Sequence, residues 1–229
     1  MNVRATTAFV CDGDERSALA ITRSLGRQGV TVIVGADGPA SLASASRFCA
    51  RHVTYPSPYR RPEAFERFLL DLVARERIDV VMPVTDVTTH LVARNRDALG
   101  RYTATSVPSF EAFDFVGNKI RLLKRAAECG VPIPRTHFLD SAVDVTPLLG
   151  RIEYPAVVKP LRSRILTDEG WLPASVQYAL DEADLLRIYR ETACLLRHPS
   201  MIQQRIVGPG TGVFVLCDRG QVRAAFADR

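Results

Sequence analysis

The chain is predicted to fold as an α/β protein, a parallel doubly wound sheet followed by a smaller α+β region. Two patterns predict this. Over the first hundred residues, short apolar runs alternate with amphipathic stretches long enough to cross over a sheet. Beyond residue 108 the rhythm changes: prolines force extended segments, apolar strands turn polar at their ends, and a hairpin closes the sequence.

The elements follow in order. Thr6-Ala8-Phe9-Val10-Cys11 is an apolar strand that ends in the turn Asp12-Gly13-Asp14. Glu15 to Arg27 carries Ala18, Ile21 and Leu25 at helical spacing, and Gly29 stops it. Val30 to Val34 is a second strand. Pro62 to Arg77 is an amphipathic helix with Phe65, Phe68, Leu69, Leu72 and Val73 on one face. Ile78 to Pro83 is a buried strand. Pro108-Ser109 and Phe110 to Gly117 form a connection. A helix follows from Asn118 to Cys129, stopped by Gly130. Val131-Pro132-Ile133-Pro134 is extended, because two prolines cannot continue a helix. Tyr154 to Lys159 and Val176 to Ala179 are strands, with Leu161 to Pro173 as a loop between them. Asp181 caps a helix with Leu185, Tyr189, Ala193 and Leu196 on one face. Met201 to Val207 is a strand. Val213 to Cys217 and Gln221 to Phe226 pair around Asp218-Arg219-Gly220.

Composition excludes several classes. The 229 residues are 47% hydrophobic and 24% charged, which is globular. No apolar run reaches the length of a membrane span, and residues 1–7 lack the pattern of a signal peptide. The net charge of +5 comes from scattered arginines, with no basic block. That disfavours nucleic acid and suits a small anion. Cys11, Cys49, Cys129, Cys194 and Cys217 show no Cys-x-x-Cys pair and read as reduced thiols of a cytoplasmic protein, used as small apolar residues. His52, His90, His137 and His198 have no metal spacing. The first turn lacks Gly-x-Gly-x-x-Gly and sets acids where a pyrophosphate would approach, so a dinucleotide is disfavoured.

Chemistry concentrates after residue 117. Lys119 opens a helix, and Lys159, forty residues on, ends an apolar strand. Lysine is a compact cation suited to a triphosphate of about four negative charges. Lys119 in a first turn also reads as an ordinary solvated lysine. Lys159 is odder, because an apolar strand rarely carries an unpartnered lysine. Met201 to Gly208 is an apolar strand that turns polar at Gln203-Gln204. Backbone groups of Gln204-Arg205-Ile206 suit an adenine edge, with Val157 and Ile202 as apolar walls. Arg162 and Arg164 either reach a γ-phosphate or are solvated, and the sequence leaves both open. Asp168 and Glu169 read as solvated loop residues.

The ordered set of Lys119, Gly130-Val131-Pro132-Ile133-Pro134, Tyr154-Pro155-Ala156-Val157-Val158-Lys159-Pro160 and Ile202-Gln203-Gln204-Arg205-Ile206-Val207-Gly208 resembles the ATP-grasp superfamily of carboxylate ligases, most of all its carbamoyl-phosphate-synthase-like members. The resemblance covers nearly the whole chain. It implies a Rossmann-like pre-ATP-grasp domain over residues 1–108, a first (lid) subdomain over 109–204, and the first strands of a second subdomain over 205–229. It implies ATP and Mg²⁺ as cofactors. It places nucleotide contacts at Lys119, Lys159, Arg162, Arg164, Val157, Ile202, Gln203, Gln204, Arg205 and Ile206. The implied activity is phosphorylation of a small carboxylate followed by attack of an amine or similar nucleophile. A non-catalytic nucleotide-binding or regulatory domain is the alternative. Two departures stand out. The loop after Lys159 has a single glycine, and no acid follows the hinge in Gly208-Pro209-Gly210-Thr211-Gly212.

The resemblance also implies that magnesium ligands lie beyond residue 229. An inactive N-terminal fragment of a longer protein is therefore expected. Arg162 to Gly170 is expected to be the most mobile part of the second region, and both lysines are expected to face one cleft. The substrates joined and the oligomeric state, for which a homodimer is allowed, are not readable.

Overall fold

The structure, a computed structural model, describes residues 6–168 and 170–228. Residues 1–5 and Glu169, which the sequence places in a solvated loop, lie outside the described residues. The chain divides into two compact units. One holds the residues up to Val131 together with Pro160–Ser175; the other holds Pro132–Lys159 and the residues from Val176 on.

The first unit is built on a five-stranded sheet of β1 (Thr7–Val10), β2 (Thr31–Ala36), β3 (Cys49–Thr54), β4 (Val80–Met82) and β5 (Ala104–Thr105). The strands lie in the order β3-β2-β1-β4-β5, and every pair is parallel. Parallel pairing needs crossovers. Helices supply three of them, α1 (Arg16–Arg27), α2 (Pro62–Arg75), and α3 (Asp86–Arg94) with the short α4 (Arg96–Leu99), while turns over residues 37–48 join β2 to β3. Both faces of the sheet are covered, as strand alternation requires. Phe9, Ile33 and Val81 pack with Phe65, Leu69 and Leu91 in one core, while Val10, Val32 and Val34 pack with Ala18 in another. The predicted doubly wound class is therefore observed. β3, β5, α3 and α4 were absent from the sequence expectation, because β3 alternates poorly and α3 is short and rich in threonine.

The expected connection over 110–117 is instead helix α5 (Phe110–Gly117), capped by the Ser109 side chain on the Ala112 N–H. Its Phe110 and Phe113 rings meet His90 of α3 edge-on, with centroids 5.1 and 6.1 Å away. Helix α6 (Lys119–Glu128) starts where expected, with Asn118 accepting from the Ile120 and Arg121 N–H groups. Gly130 ends it at φ 74°, a left-handed conformation that a side chain disfavours.

The second unit begins with β6 (Thr136–Leu139), followed by a 3-10 turn over Ala142–Leu148 and by β7 (Ala156–Pro160). The segment after β7 corrects the sequence expectation. The presumed loop over 161–173 contains an antiparallel hairpin, β8 (Arg164–Thr167) and β9 (Gly170–Pro173), and it belongs to the first unit. Trp171 donates to the Pro58 carbonyl at 3.1 Å and meets His90 edge-on at 5.1 Å. These contacts span more than eighty positions in the chain, so local patterning could not show them.

The chain then returns to the second unit with β10 (Gln177–Ala179), α7 (Glu182–Glu191), α8 (Ala193–Arg197) and β11 (Ser200–Gln204). The expected single helix breaks at Thr192, which is extended. Asp181 caps α7 as expected, accepting from the Asp184 N–H at 2.8 Å. The sheet order is β10-β7-β11-β6. The expected closing hairpin is present as β12 (Gly212–Asp218) and β13 (Gln221–Asp228). Cys11 and Cys194 are buried, and burial raises both thiols; Cys129 and Cys217 are exposed, against the expectation of core thiols.

Candidate functional site

Strand alternation builds a concavity in the second unit. On β7, Val157 and Lys159 share a face, while Ala156 and Val158 point the other way. β10 pairs antiparallel with β7, setting Tyr178 opposite Val157. On β11, Gln203 shares the Lys159 side. Together with Pro134, Val176, Gln204, Arg205, Ile206, Val207 and Gly208, these residues line a hollow of about 650 Å³. That size falls in the range of small-molecule sites, roughly 300–1,000 Å³.

The polar end of the hollow is a chain of hydrogen bonds. The Lys159 ammonium donates to Gln203 Oε1 at 2.7 Å, and Gln203 Nε2 donates to Thr136 Oγ1 at 3.0 Å. The apolar end is open. Tyr178 is 57% exposed and Ile206 65% exposed, unusual for large side chains that line a hollow. The Arg205 guanidinium lies over the Tyr178 ring, 5.8 Å from its centroid, a cation–π arrangement. β11 ends at Gln204, whose N–H is bound to the Arg135 carbonyl at 2.8 Å. Arg205 and Ile206 run on past the strand along the rim.

Of the residues singled out in the sequence, Val157, Lys159, Gln203, Gln204, Arg205 and Ile206 come together here. Ile202 does not. It is 1% exposed and lies on the opposite face of β11, in a smaller hollow with Ala156 and His137. A period of two forces this, since Ile202 and Gln203 are consecutive. Tyr178 and Val176 were missed; the signal was the alternation of β10 against β7. Thr136 was missed because it acts on Gln203 across 67 positions.

Lys119, Arg162 and Arg164 belong to the first unit. The Lys119 ammonium donates to Ser163 Oγ at 3.0 Å, and its backbone N–H donates to the Leu161 carbonyl at 2.9 Å. Arg162 is partly buried and paired within the first unit. Its guanidinium bonds both the carboxylate and the carbonyl of Asp114 at 2.7 Å. Arg164 lies over the Tyr59 ring, 5.0 Å from its centroid. Both arginines thus fasten the hairpin to the first unit.

The first unit has a hollow of its own at the carboxyl ends of its strands, lined by Asp12, Asp14, Glu15, Asp37, Tyr55 and Tyr59 among others. Its acids repel a pyrophosphate, in line with the missing glycine turn. Among the described residues, no group of three or more His, Cys, Asp or Glu side chains could hold a metal ion. Among the same residues, no helix is long and apolar enough to cross a membrane.

No family model matches the sequence, and no curated protein matches it. Solved structures match its fold. An L-amino acid ligase from Bacillus licheniformis is 19% identical with a TM-score of 0.70, over 97% of this chain and 49% of that one. N5-carboxyaminoimidazole synthetase from Staphylococcus aureus is 11% identical with a TM-score of 0.66, over 95% and 52%. The biotin carboxylase domain dimer of the 2-oxoglutarate carboxylase of Hydrogenobacter thermophilus, in complex with MgADP, ADP and bicarbonate, is 13% identical with a TM-score of 0.64, over 89% and 45%. The chain spans about half the length of these proteins. It has the fold of the ATP-grasp carboxylate ligases.

Proposed function

We propose that this chain binds the ATP of a ligase that activates a small carboxylate for attack by an amine. The observation that carries the reading is the hollow of the second unit, where a lysine held by a neutral amide shares one cavity with Val157, Tyr178 and the strand exit at Gln204–Ile206. A nucleotide needs those three things: a cation for phosphate, an apolar wall for the base, and free main chain to read its edge. In the proposal Val157 and Tyr178 flank the adenine, the backbone around Arg205 reads it, and Lys159 draws the phosphates. Lys119 opens α6 in the first unit, where the helix dipole also favours negative charge, and is proposed as a phosphate contact in its own right.

Bound ATP supplies the phosphoryl group that converts a carboxylate into a reactive acyl phosphate. The chain's own residues bind and orient it. Among the described residues no group of three or more His, Cys, Asp or Glu side chains could hold Mg²⁺. The amine as nucleophile and the cytoplasm as location belong to the same proposal. No observation favours a non-catalytic reading.

Calorimetric titration with ATP tests the assignment. Lys159→Ala is expected to weaken binding by roughly two orders of magnitude, the low end of the range for truncating one partner of a desolvated charge pair. Equal affinities for wild type and variant would remove Lys159 from the site.

A further inference from the structure

The ammonium of Lys159 is held by an amide rather than a carboxylate, and the amide is itself oriented. The Thr136 hydroxyl donates to the Pro134 carbonyl at 2.7 Å. Its one proton is thereby committed, so it offers a lone pair to Nε2 of Gln203. With Nε2 turned to Thr136, Oε1 must face Lys159, which can only donate. Gln203 is 5% exposed, and the β11–β6 register sets it directly opposite Thr136. The sheet itself therefore fixes the chain of bonds from the Pro134 backbone to the lysine.

We propose that Thr136 and Gln203 form a neutral positioning relay, which aims Lys159 at the phosphates of its nucleotide and leaves its charge whole. The inference rests on the nucleotide reading of this hollow. A carboxylate at position 203 would hold the lysine as firmly, but an incoming phosphate would then compete with a partly buried ion pair. The amide takes one of three ammonium protons and offers no opposing charge. The relay therefore acts on phosphate and not on the base. That separates it from a residue that merely keeps the sheet folded.

Titration of ATP and of adenosine against wild type, Gln203→Met, Gln203→Glu and Thr136→Val tests it. Methionine keeps the length and the packing of position 203 while removing the relay. The wild type is expected to bind both ligands. Gln203→Met is expected to lose about tenfold in ATP affinity, the worth of one hydrogen bond to a charged group, and to keep adenosine unchanged. Gln203→Glu is expected to lose more for ATP, and Thr136→Val less, each with adenosine again unchanged. Wild-type ATP affinity in Gln203→Met overturns the relay. So does an equal loss for ATP and adenosine in Gln203→Met and Thr136→Val, which marks damage to the sheet. If Gln203→Met fails to fold, Thr136→Val decides between the same two outcomes. A wild type that binds neither ligand overturns the nucleotide reading itself, and the relay with it.

Discussion

Asp12, two residues past β1, sits in the left-handed region at φ 57° and is only 8% exposed. Its Oδ2 accepts from the Val84 N–H at 3.0 Å, the Thr85 N–H at 2.8 Å and the Thr88 hydroxyl, so one carboxylate satisfies the start of α3. Its own N–H is bound by the Tyr55 hydroxyl at 2.8 Å, and burial pushes that phenol's pKa far up. Asp12→Ala strands two backbone donors and a hydroxyl, and is expected to cost about 2–4 kcal/mol in chemical denaturation. A change below about 0.5 kcal/mol, the surface-substitution range, would show that water replaces the carboxylate. The sequence placed Asp12 correctly in a turn but could not show this use, because the partners of its carboxylate lie more than seventy positions away. Separation along the chain also hid the tie between Lys159 and Gln203, which are 44 positions apart. Each was legible as a member of a motif. Their contact was not, and neither was the turn of Ile202 to the far face, which depends on strand register.

The β8–β9 hairpin teaches the same lesson for an element. Arg162, Ser163, Arg164 and Thr167 gave the segment the polarity of a loop, and mobility was expected of it. In the structure Trp171 reaches the first unit's core, Arg162 is paired with Asp114, and Arg164 covers Tyr59. Long-range packing outweighed local composition. The predicted strands whose apolar runs were long, β1, β2, β7 and β11, appeared within a few residues of their expected bounds, because burial and pattern agree there. Trp171→Ala removes the indole hydrogen bond and an edge-to-face contact. It is expected to destabilise the first unit by about 2–3 kcal/mol, below the full cost of a buried Trp because the side chain is only partly buried. Amide exchange over residues 164–173 should accelerate in the variant. Exchange as fast in wild type as in an exposed loop would instead favour the mobile segment that the sequence suggested.

At the scale of the molecule, the two units carry their sensitivities in different places. The chain has one tryptophan, and Trp171 belongs to the first unit, so indole fluorescence reports that unit's unfolding. Beside it His90 is half-buried among Phe110, Phe113 and Trp171. Burial lowers its pKa below the ordinary histidine value, and Arg94 and Arg162 lower it further, against smaller opposing effects of Asp114 and Glu66. The unfolded chain therefore binds this proton more readily than the folded one. The stabilising preference for neutral His90 is complete above the unfolded value of about 6.5 and is lost as the pH falls through it toward the lowered folded value. The fluorescence-detected urea midpoint should accordingly fall between about pH 7.5 and 5.5, above the range where ordinary carboxylates titrate. His90→Phe keeps an aromatic ring in the cluster and removes the titration, so its midpoint should change less over the same interval. Parallel pH dependence in wild type and variant would transfer the acid sensitivity to other groups and leave His90 a packing residue only.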